Sequence, residues 1–274
     1  MVAAQVIGGI VGGSIAAFVI CRKESWKEMV HSPQATNTSP SVKWDSNWDK
    51  RDPASCVKPA KNNSPEEQNR YNEALKKAKP KAIRHLYLIR HSQYNQNGES
   101  DKDLTLTELG RKQADGTGER LQRLGLPFSK IIHSTMTRAV ETATIIHKYF
   151  ESLPMEACDL IREGAPIPPE PPIGYWKPES SFFVDGARIE ASFRKYFHRA
   201  PPGQTEDSYE IIVGHANVIR YWLCRALQLP PEAWLRFSLG NASITRVCLL
   251  PSGRVIVRAV GDTGHFPKDM ITTR

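Results

Sequence analysis

Apolar residues fill most of the first twenty positions, MVAAQVIGGIVGGSIAAFVI, with only the uncharged Gln5 and Ser14 interrupting them. A run of that length can cross a bilayer as a helix. The positive charges Arg22 and Lys23 follow the run instead of preceding it, which is the order of an uncleaved signal-anchor. Residues 1–22 are therefore expected to form an N-terminal membrane anchor that meets lipid through residues 1–20. Gly8 with Gly12, and Gly9 with Gly13, stand at the GxxxG spacing that lets two such helices approach, although glycine is also common in membrane helices generally. From residue 23 to 80 the periodicity vanishes into Ser, Pro, Asn and Lys, as in a polar linker. Its last part, EEQNRYNEALKKAK over 66–79, predicts a short charged helix ended by Pro80.

WDSNWD, residues 44–49, breaks the polar character of this linker. Trp44 and Trp48 are a large apolar surface to leave in water. They are expected to dock in a groove of another surface, since paired tryptophans make good interface anchors. Folding back onto their own domain is the alternative.

From residue 81 the pattern alternates strands and helices, and 81–274 reads as one catalytic domain. HLYLIR is a strand. LTELGRKQADGTGERLQRLG is an amphipathic helix with Gly125 past its end. KIIHS is a short buried strand, TRAVETATIIHKYF a helix, ARIEASFRKYFHRA a helix, YEIIVGH a strand and ANVIRYWLCRAL a helix. SITRVCLLPSGRVIVRAV is a hairpin turning at Pro251-Ser252-Gly253, and a long Pro-rich loop occupies 164–180. This order predicts a three-layer α/β/α domain around a mostly parallel sheet.

Composition narrows the chemistry. The chain has 274 residues, 40% hydrophobic, with net charge +8. The charge alone does not choose among nucleic acid, anionic membrane and phosphorylated substrate. No basic block interleaved with aromatics and no zinc-finger spacing is present, so nucleic acid is the least supported partner. Cys21, Cys56, Cys158, Cys224 and Cys248 are odd in number and scattered, which fits reduced thiols better than a disulfide framework or a metal site.

Three strands end in chemistry-bearing residues: Arg90-His91, Ser134 followed by Arg138, and His215. Ligands of open α/β sheets bind at the carboxyl ends of the strands. Two guanidiniums and two imidazoles gathered there repel one another until a dense anion joins them, and phosphate is the best candidate. Each residue alone has an ordinary structural explanation, and their coincidence at strand ends carries the reading. The chain lacks a GxxxxGK[ST] loop, an HExxH pair and a cysteine placed for a thiolate phosphate loop, and Asp101 and Asp103 precede a helix in polar sequence. Histidine remains as the nucleophile. A carboxylic acid must then protonate the leaving group. Glu163, which opens the long loop, is the candidate, although spacing does not separate it from Glu141 or Glu108.

At these residues the sequence resembles the histidine phosphatase superfamily, the phosphoglycerate mutase-like proteins. LIRHS resembles its Arg-His segment, with Ser92 where glycine is usual. LTLTELGRKQA, HSTMTRAVETA and VGHANVIR resemble its further motifs, with Ala216 where glycine is commoner. The resemblance covers about residues 82–262. It implies that His91 is the phosphorylated nucleophile, that Arg90, Arg138 and His215 hold the phosphoryl group, and that Glu163 is the proton donor. It implies no cofactor and no metal. Asn97 falls where mutase-like relatives often place a phosphate-contacting asparagine. A mitochondrial serine/threonine protein phosphatase branch of the family is similar in RHSQY, REGAPI, YWKPE, DGARIEA, HANVIRY and GDTG. That similarity implies phosphoprotein substrates and an anchor in the outer or inner mitochondrial membrane. It also implies homo-oligomers, dimeric and higher, activated through Trp44, Asp45, Asn47, Trp48 and Asp49. Relatives carry a Glu-Ser-Gly-Glu sequence for a Kelch-type adaptor. The corresponding NNSPEEQ here counts against that partner. The groups a mutase needs to retain phosphoglycerate are not evident, so hydrolysis is expected. A small-molecule phosphomonoesterase or mutase, or a scaffold pseudoenzyme, are the rival readings.

Overall fold

The computed structural model describes residues 43–273. The expected anchor, 1–22, lies outside the described residues, as do the GxxxG pairs. Among the described residues no helix is long and apolar enough to cross a membrane.

The domain is built on a six-stranded sheet: β1 (Arg84–Arg90), β2 (Phe128–Ser134), β3 (Met155–Cys158), β4 (Ser208–Gly214), β5 (Ile244–Leu249) and β6 (Val255–Asp262). The spatial order is β3-β2-β4-β1-β5-β6. The first four in that order run parallel, and β5 and β6 close one side antiparallel. The helices are α1 (Pro53–Cys56), α2 (Pro65–Ala78), α3 (Glu108–Arg123), α4 (Thr137–His147), α5 (Glu179–Tyr196) and α6 (Ala216–Ala226).

The near-continuous apolar runs of the central strands follow from burial on both faces. Successive side chains alternate between faces. Leu86 and Leu88 of β1, with Ile212 of β4, enter the core against Ile189 and Phe193 of α5 and Trp222 of α6. Tyr87 and Ile89, with Ile211 and Val213, enter the opposite core with Leu121 of α3 and Ala139, Ala143 and Ile146 of α4. Leu86, Leu88 and Ile89 are fully buried, and each such side chain contributes roughly 1.5–3 kcal/mol of transfer free energy. The result is the expected three-layer α/β/α architecture.

Helix ends follow local chemistry. The Thr107 hydroxyl accepts the Gly110 N–H at 2.9 Å and starts α3. Ser64 and Pro65 start α2, which stops before Pro80. Gly125 takes φ +60 past the end of α3, and Gly253 takes φ +83 in the β5–β6 turn, both in the region that favours glycine. Two elements differ from expectation. α5 starts at Glu179, well before the apolar stripe that marks its buried part. β3 is an additional edge strand, whose Met155, Glu156 and Ala157 are exposed and give no alternation to read.

Within the segment read as a linker, the compact unit of the chain begins at Trp44. WDSNWD lies on its own domain, the alternative to docking on another surface. Trp48 Nε1 donates to the Gly253 carbonyl at 2.7 Å, and its ring meets Phe193 at 5.7 Å. Asp49 accepts from Arg199 at 2.6 and 2.8 Å. Asp45 and Gln228 exchange two bonds of 2.9 and 2.8 Å, and the Asn47 amide donates to Ser55 Oγ at 2.7 Å. Two anchors, an indole and a buried ion pair, hold a segment whose average composition is that of a tether.

Candidate active site

β1, β4 and β2 are neighbours and parallel, so their carboxyl ends bring Arg90-His91, His215 and Ser134 together. The His91 N–H donates to the Gly214 carbonyl at 2.8 Å. Its own carbonyl accepts from Asn241 Nδ2 and Ala242 N, each at 3.3 Å. The Thr142 hydroxyl accepts the Ser92 N–H at 3.0 Å and donates to the Arg138 carbonyl at 2.7 Å. That bridge locks the loop after β1 to α4, and so fixes the His91 imidazole relative to Arg138.

His91 Nδ1 lies 2.8 Å from the Ser92 carbonyl oxygen. A carbonyl only accepts, so Nδ1 carries the hydrogen and Nε2 the lone pair. Burial, then the charges of Arg138 and Arg90, hold the His91 pKa well below the ordinary imidazole value. The ring is neutral at pH 7 and can act as a nucleophile. The His215 ring lies 5.1 Å from it, centroid to centroid. His215 Nε2 is 2.8 Å from Ser134 Oγ, while its buried Nδ1 has no hydrogen-bond partner among the described residues. Burial, then the charges of His91, Arg138 and Arg90, depress its pKa too.

Arg138 is 5% exposed, yet among the described residues its Nε and Nη1 make no hydrogen bond. Its nearest counter-charge is Asp101, 3.6 Å away, and its guanidinium lies 4.7 Å from the centre of the Tyr94 ring. Arg90 is braced by Nη1 to the carbonyls of Leu239 and Thr273 at 2.6 and 2.9 Å, and its buried Nε is unpartnered. Burial pushes its pKa down to about 10. Buried guanidinium N–H groups without acceptors are costly unless an anion completes them.

Glu163 joins this cluster. Burial raises its pKa. The N–H groups of Gly164 and Asn217 and the charges of Arg138 and Arg90 oppose that shift without reversing it. Geometry now separates it from its rivals. Glu141 is committed to Arg111 and the Leu106 N–H, and Glu108 is an exposed partner of Lys112. Asn97 is exposed, and no described hydrogen bond ties it to the cluster. The cluster also contains groups that spacing did not reveal. Arg220, one turn into α6, faces the Glu163 charge and has an unpartnered buried Nε. Tyr94 packs edge-on to His91 with centroids 5.2 Å apart. Asp101 caps α4 through the Thr137 N–H at 3.0 Å. The HANVIR motif held a signal for Arg220, because a helix leaving a strand end keeps its first turn at the pocket.

A neutral imidazole, a second imidazole, three guanidiniums and a carboxyl of raised pKa are thus gathered beyond the carboxyl ends of β1, β2 and β4. The model of the histidine phosphatase superfamily (branch 1) matches residues 86–165 and 186–262. The chain therefore belongs to that superfamily. Within it, the chain is 52% identical over 269 residues to the mitochondrial serine/threonine-protein phosphatase Pgam5 of Drosophila ananassae, covering 96% of this chain and 93% of that protein. The corresponding Drosophila melanogaster protein is 49% identical with the same coverage. Among solved structures, a phosphoglycerate mutase from Plasmodium falciparum matches with TM-score 0.50 and 33% identity, over 68% of this chain and 96% of that one. Bacillus stearothermophilus YhfR matches in fold with TM-score 0.53 and 22% identity, over 66% of this chain and 98% of that one.

Proposed function

We propose that this chain is a mitochondrial serine/threonine protein phosphatase that hydrolyses phosphomonoesters through a covalent phosphohistidine on His91. The observation that carries the reading is the state of that imidazole. It is buried and neutral, with Nδ1–H committed to the Ser92 carbonyl, so the lone pair on Nε2 is the free valence among the arginines. In the first step Nε2 attacks phosphorus as the ester P–O bond breaks. Arg90, Arg138 and His215 hold the phosphoryl oxygens. Glu163 gives its proton to the departing alkoxide, and burial is what keeps that proton available. In the second step the Glu163 carboxylate takes a proton from water. The water oxygen displaces the imidazole, and inorganic phosphate leaves.

The protein-substrate class and the mitochondrial location rest on the names of relatives that align with nearly the whole chain. Residues 1–22 serve as the membrane anchor in this reading. In this reading Trp44, Asp45, Asn47, Trp48 and Asp49, whose groove contacts are made here within one chain, exchange those contacts between copies, giving homo-oligomers of higher activity. One observation favours a second reading, a small-molecule phosphomonoesterase or mutase: the 33% identity to a phosphoglycerate mutase. Turnover of a phosphoserine peptide against bisphosphoglycerate separates the two. We expect the peptide to be the better substrate, and His91→Ala to abolish its hydrolysis with the fold intact by circular dichroism. Preference for bisphosphoglycerate moves the assignment to the second reading. A scaffold pseudoenzyme would leave both substrates untouched.

A further inference from the structure

The four most exposed apolar side chains of the described residues gather in one short stretch: Tyr175 is 88% exposed, Phe183 83%, Val184 65% and Ile173 55%, with Trp176, 38% exposed, among them. Contiguous exposed apolar surface of this kind marks an interaction site more often than chance. The stretch is also held in place. The Trp176 ring packs against Phe182 at 6.1 Å and Trp234 at 6.0 Å. Trp234 Nε1 donates to Ile167 O at 2.8 Å, and Glu170 and Glu232 join through a backbone bond of 2.9 Å. Tyr175, Phe183 and Val184 thus project from an anchored frame, so little ordering cost opposes their use in binding.

The same stretch is fastened to the proton donor. Asp185, next to Val184, accepts the Ala165 N–H at 2.9 Å and the Arg188 guanidinium at 2.9 Å. Arg188 in turn donates to the carbonyls of Leu160, Arg162 and Glu163 at 3.0, 2.6 and 3.1 Å. Gly164 has no room for even a Cβ, which would stand 2.5 Å from the Asp185 carboxyl carbon. Val184 and Glu163 are therefore each one residue from the contact between Asp185 and Gly164-Ala165, about three Cα steps or roughly 11 Å apart. An extended peptide with its phosphorylated side chain in the cluster covers that distance in about four residues.

We propose that Tyr175, Phe183 and Val184 form a docking surface for apolar side chains flanking the phosphorylated serine or threonine of a protein substrate. The inference rests on the protein phosphatase reading of the site. The occupant follows from complementarity: the cluster is cationic and the adjoining wall apolar, so a ligand that fills both carries a phosphate and, a few residues away, apolar groups. The surface supplies affinity for the peptide and leaves the reacting atoms alone.

The test is steady-state kinetics of full-length wild type and the surface double variant Phe183→Ser, Val184→Ser. Three substrates are compared: p-nitrophenyl phosphate, a phosphoserine peptide flanked by Leu and Phe, and the same peptide flanked by Ser and Gly. The apolar peptide should lose about tenfold in kcat/KM, through KM, as two interface side chains are removed. The polar peptide and p-nitrophenyl phosphate should be unchanged. Equal values for the apolar peptide in wild type and variant overturn the docking surface while leaving the phosphatase reading intact. Equal losses on all three substrates assign the two side chains to support of the Glu163 loop and overturn it as well. Wild type that turns over p-nitrophenyl phosphate and neither peptide removes the reading beneath it. A fall in sedimentation mass of the variant, with peptide kinetics preserved, assigns the patch to a second copy of the chain.

Discussion

His91 is buried and Glu163 half-buried, and loss of solvent moves the two ionisable groups in useful opposite directions. Burial and two arginines lower the imidazole pKa, so His91 stays neutral below the ordinary value of 6.5. Burial raises the Glu163 carboxyl, so it keeps its proton above the ordinary value of 4.5. The phosphoryl-transfer step needs the neutral base and the protonated acid together. Single-turnover rates should therefore persist as pH falls below 6.5, and decline as pH rises through the raised Glu163 pKa. A rate that collapses as pH falls through 6.5 would contradict the neutral His91. Glu163→Gln cannot donate a proton. It should slow alkyl phosphoesters by roughly 10²–10⁴-fold, while p-nitrophenyl phosphate, whose leaving group needs little protonation, loses far less in the burst phase. Equal losses on both would reassign the acid.

At the scale of the element, α4 carries Arg138 and depends on a cap 36 residues away in sequence. The Asp101 carboxylate accepts the Thr137 N–H at 3.0 Å and its hydroxyl at 3.2 Å. Asp101→Ala should cost about 1 kcal/mol in urea unfolding, the usual price of a lost cap. An unchanged midpoint would show that water replaces the carboxylate. This cap was not legible in the sequence, because local spacing says nothing of a partner supplied by another loop. What was legible had a physical period behind it. β1, β2 and β4 are buried on both faces and read as short apolar runs, and α3 and α6 carry one apolar stripe each. β3 pairs only at an edge, and Met155, Glu156 and Ala157 face solvent, so nothing distinguished it. His91, His215, Arg90 and Arg138 were legible because strand ends converge in any parallel sheet. Tyr94 was not, since it reaches the cluster from the loop after β1, and Arg220 was signalled only by its place near the start of the helix that follows β4. The choice of Glu163 over Glu141 and Glu108 needed the fold of the long loop.

Over the whole molecule, the N-terminal arm is tied to the domain by the pair Asp49–Arg199, with side chains 1% and 2% exposed. Burial raises the Asp49 pKa, but the Arg199 bonds and charge outweigh it and the net shift is downward. A depressed folded pKa means that this stability is present at neutral pH and is lost as pH falls through that value. Asp49→Ala strands a buried guanidinium, so it should destabilise the domain by about 3–5 kcal/mol in denaturant titration. A loss below 1 kcal/mol would mean that the arm leaves its groove at little cost. If copies also exchange these contacts, Trp44→Ala with Trp48→Ala should shrink the particle in sedimentation. An unchanged mass would confine the motif to its own chain.

The central claim is that phosphorus passes through His91. Rapid acid-free quenching of the full-length protein with a phosphodonor, followed by intact mass and fragment mapping, tests it directly. The account predicts one added phosphoryl group, labile in acid and stable in base, located on His91 and absent in His91→Ala. An adduct on a serine, a cysteine or an aspartate, or turnover in the His91→Ala protein, would contradict it.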